Sequence, residues 1–236
     1  MQKRILVLGG TSGLGEELAR AAACADYSVT VAGLLPTNCQ LVKQGYAEPL
    51  ELNLTVDQIV LPEDLGPFDA VIWAAGAQYK KRFENHSRQE VRDMCRLLLE
   101  GPCMVLTEII KRQKAATRPF HLVVIGSTGV WRIRGEEALY GALKAAQAHL
   151  TRNLSACLPD ELPGTKLLLA NPGAMRTPFW AHDTETDTSV FMDPCIVANL
   201  IWDEMQRQTT PFREIQIIRQ PPDGSPKLIE GACLPV

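Results

Sequence analysis

The sequence predicts an α/β fold in which a doubly wound parallel sheet of about seven strands carries helices on both faces. Short apolar runs of strand length alternate along the chain with longer segments rich in helix formers. The first of these runs ends in a glycine-rich turn that opens a helix. Parallel strands need crossover connections, which place helices over the sheet. No repeat, low-complexity segment or linker divides the chain, so residues 1–236 are predicted to form a single domain.

The first predicted strand, Arg4–Leu8, runs into the turn Gly9–Gly15, and the amphipathic helix Glu16–Ala23 follows. This order is typical of a pyrophosphate site, because glycine lets the backbone approach a ligand and a helix N-terminus offers free N–H groups. The spacing is G-x-x-x-G-x-G, which differs from the common G-x-G-x-x-G fingerprint. A tight turn that binds nothing is the alternative.

The next three predicted strands end in small or uncharged residues. Ser28–Ala32 ends at Gly33-Leu34, where a dinucleotide-binding unit often has an acidic residue for a ribose 2′-hydroxyl or a nearby arginine for a 2′-phosphate, and this chain has neither. Leu50–Leu54 is a short third strand, and the crossover 55–67, with two prolines, is expected to lack a full helix. Asp69–Ala77 ends in small residues that would let a flat ligand lie over it; loop packing alone would also require them.

The second half of the chain continues the alternation. A long helical pattern covers Ser87–Ala115, and Gly101-Pro102 should bend it because proline lacks an N–H and crowds the preceding turn. The tail from Gln220 is rich in proline and glycine and is predicted to be extended. The other predicted elements are the strand Leu122–Ile125, a helix from Ala138, the strand Thr165–Ala170, the helix Pro194–Gln206 and the strand Glu214–Ile218.

One strand and one helix of this half carry candidate catalytic side chains. Ser127 follows the strand Leu122–Ile125, and Tyr140 and Lys144 lie four residues apart on one helix face, about 5–6 Å apart at Cβ. A nearby ammonium favours a phenolate, and lowering a tyrosine pKa from ~10 to about 7 needs roughly 4 kcal/mol. We therefore expect Lys144 to lower the pKa of Tyr140 beside the hydroxyl of Ser127. A half-buried ring with a solvated amine is the alternative.

Ligands of doubly wound sheets bind at the carboxyl ends of the strands. The glycine turn, Ala75-Gly76, Ser127 and Pro172-Gly173 all follow predicted strands. They are therefore expected to line one cleft.

Composition restricts the functional class. A formal net charge of −3 lacks the basic footprint of a nucleic-acid-binding protein. The seven cysteines are scattered, with no C-x-x-C pair and no metal-ligand spacing with the four histidines, so reduced thiols and no metal are expected. Residues 1–4 run directly into the first strand, so no signal peptide is expected, and no apolar run approaches the ~20 residues that span a membrane. We predict a cytoplasmic protein that binds neither nucleic acid nor membrane.

From about residue 4 to 202, these motifs in this order resemble the single-domain members of the short-chain dehydrogenase/reductase family. Its serine, tyrosine and lysine spacings of 13 and 4 residues are both present. The matching residues are Gly9, Gly13 and Gly15 of the glycine motif, Trp73-Ala74-Ala75-Gly76 for N-N-A-G, Ser127, Tyr140 and Lys144, and Pro172–Thr177 for P-G-x-x-x-T.

The resemblance implies a Rossmann-like fold and an NAD(P)(H)-dependent carbonyl reductase or alcohol dehydrogenase, in which hydride passes between nicotinamide and a carbonyl or secondary alcohol. Tyr140 would exchange a proton with the substrate oxygen, which Ser127 would also hydrogen-bond, and Lys144 would bind the nicotinamide ribose. Thr177 would hold the carboxamide, and Asn53 would stand in for an aspartate that reaches the adenine. The implied cofactor contacts are Gly9, Thr11, Ser12, Gly13, Leu14, Gly15, Gly33, Leu34, Asn53, Leu54, Ala75, Gly76, Tyr140, Lys144, Pro172, Gly173, Met175 and Thr177.

Three positions depart from the family pattern. Leu98 stands where the family has a catalytic asparagine that helps hold a water for proton relay, so the relay should be slower or use another route. Gly33-Leu34 has no acid, which leans weakly to NADP(H), and no counter-charge for a phosphate. The C-terminal end lacks the glycine pair that helps build tetramers, so a monomer or homodimer fits as well as a homotetramer.

The substrate, a small-molecule carbonyl or alcohol, is expected between Gly129–Leu139 and a variable lid at about 179–193. Arg132, Arg134 and Arg176 could favour an anion, or be solvated loop arginines. A non-catalytic dinucleotide-binding sensor or scaffold of the same fold is the alternative function. The other residues expected near the substrate are Trp131, Phe179, Trp180 and, on the surface of the lid without a catalytic role, His182.

Overall fold

The computed structural model describes residues 2–181, 183 and 185–230. Within these residues a single eight-stranded sheet has the order β3-β2-β1-β4-β5-β6-β7-β8. Its strands are β1 (Arg4–Leu8), β2 (Ser28–Gly33), β3 (Glu48–Glu51), β4 (Ala70–Trp73), β5 (His121–Ile125), β6 (Lys166–Pro172), β7 (Phe212–Arg219) and β8 (Pro226–Glu230). Neighbouring strands from β3 through β7 pair in parallel, and β8 is antiparallel to β7.

Helices cover both faces of the sheet, as predicted. Successive side chains of a strand point to opposite faces. Accordingly, Ile5 and Val7 pack in one apolar layer with α1 and α6, whereas Leu6 and Leu8 pack in the other with α4 and α5. The helices are α1 (Gly13–Cys24), α2 (Gln40–Lys43), α3 (Arg88–Cys95), α4 (Gly101–Ala115), α5 (Ala138–Glu161) and α6 (Pro194–Arg207).

Two predictions at the sheet edges need correction. The sheet has eight strands rather than about seven, because the tail after Gln220 turns at Gly224 and returns as the antiparallel β8. Pro226 is the first residue of that edge strand, a position where a missing N–H is tolerated. The third strand is Glu48–Glu51 rather than Leu50–Leu54, because the apolar alternation continues past the strand, where Leu52 and Leu54 are buried.

The predicted break near Gly101-Pro102 takes the form of a π-helical turn, Arg96–Glu100, between α3 and α4. Leu98 lies in this turn, and the residue four positions on is Pro102, which has no N–H to donate to the carbonyl of Leu98. A Cβ on Gly101 would lie 2.2 Å from the carbonyl oxygen of Leu54, so only glycine permits this close approach of the helix. The crossover 55–67 contains no helix, as expected.

Two general properties follow from the described ranges. Their helices include none with the length and apolar character needed to cross a membrane. The six cysteines within these ranges are free thiols, and no cluster of three or more histidine, cysteine or carboxylate side chains suited to a metal occurs there.

Candidate active site

A cleft of about 630 Å³ lies at the carboxyl ends of the parallel strands. Every residue predicted to be catalytic or to contact a cofactor lines this cleft. The structure therefore brings together the glycine turn after β1, the small residues after β4, the serine after β5 and the Pro-Gly pair at the end of β6. Their individual roles remain predictions.

The three motif glycines serve two different purposes. A Cβ on Gly9, whose φ is +81°, would lie 2.5 Å from the Cα of Ala75, and a Cβ on Gly15 would lie 2.1 Å from the carbonyl oxygen of Gly9. These two glycines are required by the packing of the turn itself. Gly13, with φ +56°, faces the side chain of Thr177, where a Cβ would have 3.2 Å to the nearest atom. Gly13 is thus the motif glycine whose Cβ would meet a side chain that lines the cleft rather than backbone atoms.

The N-terminus of α1 points an uncapped helix end at the cleft. Ser12 is the N-cap residue, but its side chain makes no capping hydrogen bond. The first-turn N–H groups of a helix have no intrahelical acceptor, and the helix dipole makes this end positive. Since Ser12 and the following Gly13–Gly15 line the cleft, this end could hold a pyrophosphate.

The end of the cleft beside β2 is uncharged. Leu34 and Leu35 are 59% and 63% exposed, and the neighbouring lining residues that the structure describes there include Asn38, Asn53 and Thr55 but no ionisable side chain. The Oδ1 of Asn53 accepts hydrogen bonds from the backbone N–H and the hydroxyl of Thr55, at 2.9 and 2.7 Å. Only the amide nitrogen of Asn53 is left to meet a ligand, as a donor.

Ser127 is oriented by the short 3-10 turn that follows β5. Its Oγ accepts a hydrogen bond from the Gly129 N–H at 3.0 Å, so its own hydrogen can be donated to a neighbouring acceptor. The hydroxyl of Ser127 hydrogen-bonds the phenol of Tyr140 and favours its ionised form. The predicted neighbourhood of serine and tyrosine is therefore present.

Lys144 does not have the predicted effect on Tyr140. Burial raises the pKa of Tyr140, the Ser127 hydrogen bond opposes that rise, and the charge of Glu137 adds to it. The Nζ of Lys144 lies 5.8 Å from the centre of the Tyr140 ring, and burial lowers the pKa of Lys144 to about 7. The net direction is opposite to the expectation that Lys144 lowers the pKa of Tyr140, because the desolvation of the buried phenol outweighs its favourable contacts.

Two internal acceptors hold Lys144, which is only 4% exposed. Its Nζ donates to the carbonyl of Ile125 at 2.8 Å and to the Oε1 of Gln147 at 2.9 Å. The Nε2 of Gln147 in turn donates to the carbonyl of Leu98, and Gln147 is fully buried. Sequence reasoning missed Gln147; its signal was a polar residue three positions after the lysine on the same helix.

The backbone of Ser127 is bound to a hydrogen-bonded network of polar and charged side chains. The Oδ1 of the fully buried Asn171 accepts from the Ser127 N–H at 3.2 Å, and its Nδ2 donates to Oε1 of Glu214 at 3.0 Å. Arg152 binds the Glu214 carboxylate through two hydrogen bonds of 3.0 and 2.8 Å. A Cβ on Gly126 would lie 2.0 Å from the Oδ1 of Asn171, so glycine is required there.

An aromatic cluster covers the site from the segment 179–193, called the lid below. The Phe179 ring lies 5.7 Å from that of Tyr140 in an edge-on contact, and Trp180 packs in turn against Phe179. On the opposite rim, Lys80 donates to the lid residues Asp183, at 3.2 Å, and Thr186, at 2.8 Å. This segment thus contacts both α5 and the loop after β4.

The predicted substrate residues divide into three groups. Gly129, Phe179, Trp180, Arg132 and Arg134 line the cleft. Arg176 is not a lining residue, because it hydrogen-bonds Ser189, Phe191 and Asp193 within the lid. Trp131 also lies outside the lining, and His182 lies outside the described residues.

One further lining residue, Gln78, was not predicted. Its side chain is 9% exposed, and its Nε2 is buried without a hydrogen-bond partner among the described residues. A buried donor without an acceptor costs about 1–3 kcal/mol, so a ligand acceptor at this position would be stabilising. The small-residue run before it gave no signal for this role.

A family model described as short chain dehydrogenase matches residues 3–188. The chain belongs to this family. No sequence among the curated proteins gives a significant match.

Many solved structures share the fold of this family member. An alcohol dehydrogenase from the archaeon Thermococcus sibiricus, complexed with 5-hydroxy-NADP, is 21% identical, with a TM-score of 0.77 over 92% of this chain and 96% of that one. A short-chain dehydrogenase from Sphingobium yanoikuyae in complex with NADPH is 19% identical, with a TM-score of 0.76 over 87% and 85%. A 4-hydroxyisoleucine dehydrogenase complexed with NADH is 17% identical, with a TM-score of 0.79 over 95% and 98%. At these identities the likeness shows the fold.

Leu98, the departure from the family pattern, is fully buried and packs with Met94 and Leu143. Its Cδ2 would lie 3.2 Å from a Cβ on Gly76. An apolar side chain therefore stands where the resemblance implies an asparagine, and the backbone carbonyl of Leu98 accepts a hydrogen bond from Gln147.

Proposed function

We propose that this protein is an NAD(P)(H)-dependent oxidoreductase, a carbonyl reductase or alcohol dehydrogenase. One observation carries the proposal: Ser127, Tyr140 and Lys144 line the same cleft as the uncapped N-terminus of α1. A proton donor, a hydrogen-bonding hydroxyl and an amine thus share a cavity with an anion-binding helix end. Membership of the short chain dehydrogenase family supports the same reaction class.

The residues present fit a dinucleotide. The α1 N-terminus and Gly13 would take the pyrophosphate, the free amide of Asn53 the adenine, and Thr177 the carboxamide. Lys144, with two of its N–H groups used internally, has one left for ribose hydroxyls. The bound nicotinamide would supply or accept the hydride. Three similar structures are complexes with 5-hydroxy-NADP, NADPH and NADH, which supports a nicotinamide nucleotide here.

The protonation state of Tyr140 suits the reductive direction. Its raised pKa keeps the phenol protonated at neutral pH, so it can donate a proton to a carbonyl oxygen that is becoming an alkoxide. The hydroxyl of Ser127, which hydrogen-bonds Tyr140 in this structure, would donate to the same substrate oxygen instead. Phe179, packed on the Tyr140 ring, would help to exclude water from this point.

The uncharged nucleotide end of the cleft gives little basis for selecting one cofactor. A carboxylate near Leu34 would repel a 2′-phosphate, and a cation would attract it; the described lining residues at this end offer neither. We therefore propose that both nucleotides bind, with a weak preference for NADP(H).

The charges at the substrate end favour an acidic carbonyl compound. Arg134 forms an ion pair with Glu137 at 2.9 Å, so its charge is already matched by a carboxylate of the protein. Arg132 lines the cleft without an ion pair or side-chain hydrogen bond among the described residues, and the Gln78 amide nitrogen lacks an acceptor. A carboxylate on the substrate would satisfy either group.

We place cofactor and substrate in one domain, residues 1–236, with the lid closing over the substrate. Assembly into a homodimer or homotetramer remains a prediction.

The alternative is a dinucleotide-binding sensor or scaffold without catalysis. Two features favour it: the apolar side chain of Leu98, and the uncharged end of the cleft beside β2, where NAD and NADP would be distinguished. The two functions differ in turnover, because only the oxidoreductase requires the Tyr140 hydroxyl.

The test begins with fluorescence titration of the purified protein with NADPH and NADH. Gly13→Trp should abolish micromolar binding by filling the space before Thr177, whereas Gly45→Trp should not. Gly45 is the matched control because its φ is also positive and a Cβ there meets no atom within 4 Å. No binding up to millimolar nucleotide, or equal effects of both substitutions, would contradict the proposal.

Binding is then followed by a screen of carbonyl compounds, including 3-oxo acids and their esters. Turnover that Tyr140→Phe abolishes, with nucleotide binding retained, supports the oxidoreductase. Nucleotide binding with no turnover of any carbonyl compound favours the sensor.

A further inference from the structure

The side chain of Gln147 connects the amine of Lys144 to the backbone carbonyl of Leu98. Its Oε1 accepts from the Nζ of Lys144 at 2.9 Å, and its Nε2 donates to the carbonyl of Leu98. Both ends of one carboxamide are therefore used. The carbonyl of Leu98 can only accept, so the NH₂ group of Gln147 must face it and the Oε1 faces Lys144. Gln147 is 0% exposed and Lys144 is 4% exposed, so water does not compete for these bonds from the surface.

The carbonyl of Leu98 is available because of the local sequence. In a regular helix it would accept from the residue four positions on, but that residue is Pro102, which has no N–H. The chain forms the π-helical turn Arg96–Glu100 at this point. The Gln147 side chain from α5 supplies a donor for the Leu98 carbonyl. An unsatisfied buried carbonyl would otherwise destabilise this turn.

We propose that Gln147 is the positioning residue of the catalytic site. Its carboxamide connects Lys144 to the carbonyl of Leu98 and fills the space behind the amine. This geometry leaves one N–H of Lys144 directed towards the cleft. Two of the three ammonium hydrogens are used, by Ile125 and Gln147. The side of Lys144 away from the cleft thus ends in protein groups that neither gain nor lose a proton. The proton that Tyr140 gives up is therefore restored from the cleft side.

This role explains how the site tolerates Leu98. The family resemblance implies an amide at that position on the long helix. Here the side chain at 98 is apolar, and the amide comes from α5 to the backbone carbonyl of the same residue. The expected effects on kcat rest on the proposed function, whereas the effect of Gln147 on the pKa of Lys144 does not.

The direct test measures the titration of Lys144 in the cofactor-free protein, by NMR of lysine side chains labelled at Cε, with Lys144→Met for assignment. Tyr140 and Glu137 are the titratable groups of the site that accompany it, and neither is altered by the variants. Gln147→Leu removes an acceptor from the charged amine and should lower its pKa by about one unit or more. Gln147→Glu places a carboxylate there and should raise it by a similar amount.

Thr151→Val is the matched control. Thr151 is buried one turn further along α5 and donates its hydroxyl to the backbone carbonyl of Gln147, with no contact to Lys144. It should leave the pKa of Lys144 unchanged. If Gln147→Leu does not fold, Gln147→Glu carries the test with the opposite sign.

Kinetics provide the second measurement. Gln147→Leu should reduce kcat about tenfold, with a KM for the carbonyl substrate within about twofold of wild type, and the pH at which kcat falls should move with the Lys144 pKa. An unchanged Lys144 pKa in both Gln147 variants, or an equal shift in Thr151→Val, overturns the proposal. A Lys144 pKa that shifts as expected in a protein that turns over no carbonyl compound supports the positioning role and refutes the oxidoreductase instead.

Discussion

Replacing Asn171 by leucine should both destabilise the protein and displace Ser127. The side chain is fully buried at the end of β6 and connects the Ser127 N–H to the carboxylate of Glu214. Leucine has a similar size but makes neither bond. The substitution leaves the partly buried N–H of Ser127 unpaired, at up to about 1–3 kcal/mol, and removes a hydrogen bond to a charged group, worth about 1.5–3 kcal/mol. Apolar burial offsets part of this, so we expect a loss of about 2–4 kcal/mol.

The assay is urea unfolding at pH 7.5, with the free energy of unfolding extrapolated to water. Asn153→Leu is the control, because Asn153 is exposed on α5 and hydrogen-bonds only within its own helix. It should change the stability by less than about 0.5 kcal/mol. In the same preparations, Asn171→Leu should reduce kcat/KM at least tenfold, since a small displacement of a reacting group is costly. The nucleotide affinity should stay near that of wild type.

A double-mutant cycle tests the network itself. Glu214 is 6% exposed at its side chain and is held by Arg152 as well as by Asn171. If the three residues act as one unit, Asn171→Leu and Glu214→Gln should show a coupling energy of about 0.5–3 kcal/mol. Strict additivity, or a loss for Asn171→Leu no larger than for Asn153→Leu, would refute the reasoning.

Two further predictions concern pH and substrate charge. Burial lowers the pKa of His121 to about 4, so between pH 6.5 and 4 the unfolded chain binds a proton that the native imidazole does not. Stability should therefore fall on acidification through this window by about 2–3 kcal/mol, and urea unfolding of His121→Gln at pH 7.5 and 4.5 should show a correspondingly smaller fall. Arg132→Gln should raise the KM of a 3-oxo acid at least tenfold and leave that of its methyl ester within about twofold; equal effects on both would contradict an acidic substrate.

The parallel sheet and the cleft could be predicted from the sequence because both follow from general rules of chain connection. Parallel strands with crossovers place all their carboxyl ends at one edge, so residues that follow separate apolar runs had to meet there. Gly9, Ser127 and Pro172 could be assigned to one cleft on this basis alone. The β8 strand was missed because its pairing depends on a reversal at Gly224, and a proline-rich tail does not indicate antiparallel pairing.

Contacts between distant segments were beyond sequence reasoning. Gln147 binds a carbonyl 49 positions away, and Asn171 binds Ser127 44 positions away. Nothing in the local pattern distinguishes these amides from solvated ones. The prediction of the Tyr140 pKa failed for a related reason. Helical spacing gives the distance between Tyr140 and Lys144, but the pKa of each group depends on its burial, which the spacing does not show.

The glycine motif shows why one pattern can support two interpretations at once. Gly9 and Gly15 are required by contacts within the protein, since a Cβ at either would overlap backbone atoms at 2.5 and 2.1 Å. The tight-turn interpretation is therefore correct for these two, whatever the cleft binds. A Cβ on Gly13 would instead meet the side chain of Thr177 at 3.2 Å, and the positive φ of Gly13 adds a backbone strain that the Gly45 variant shares. Loss of folding on changing Gly9 or Gly15 would say nothing about a nucleotide, and a loss of binding in a folded Gly13 variant would separate the site from the turn that builds it.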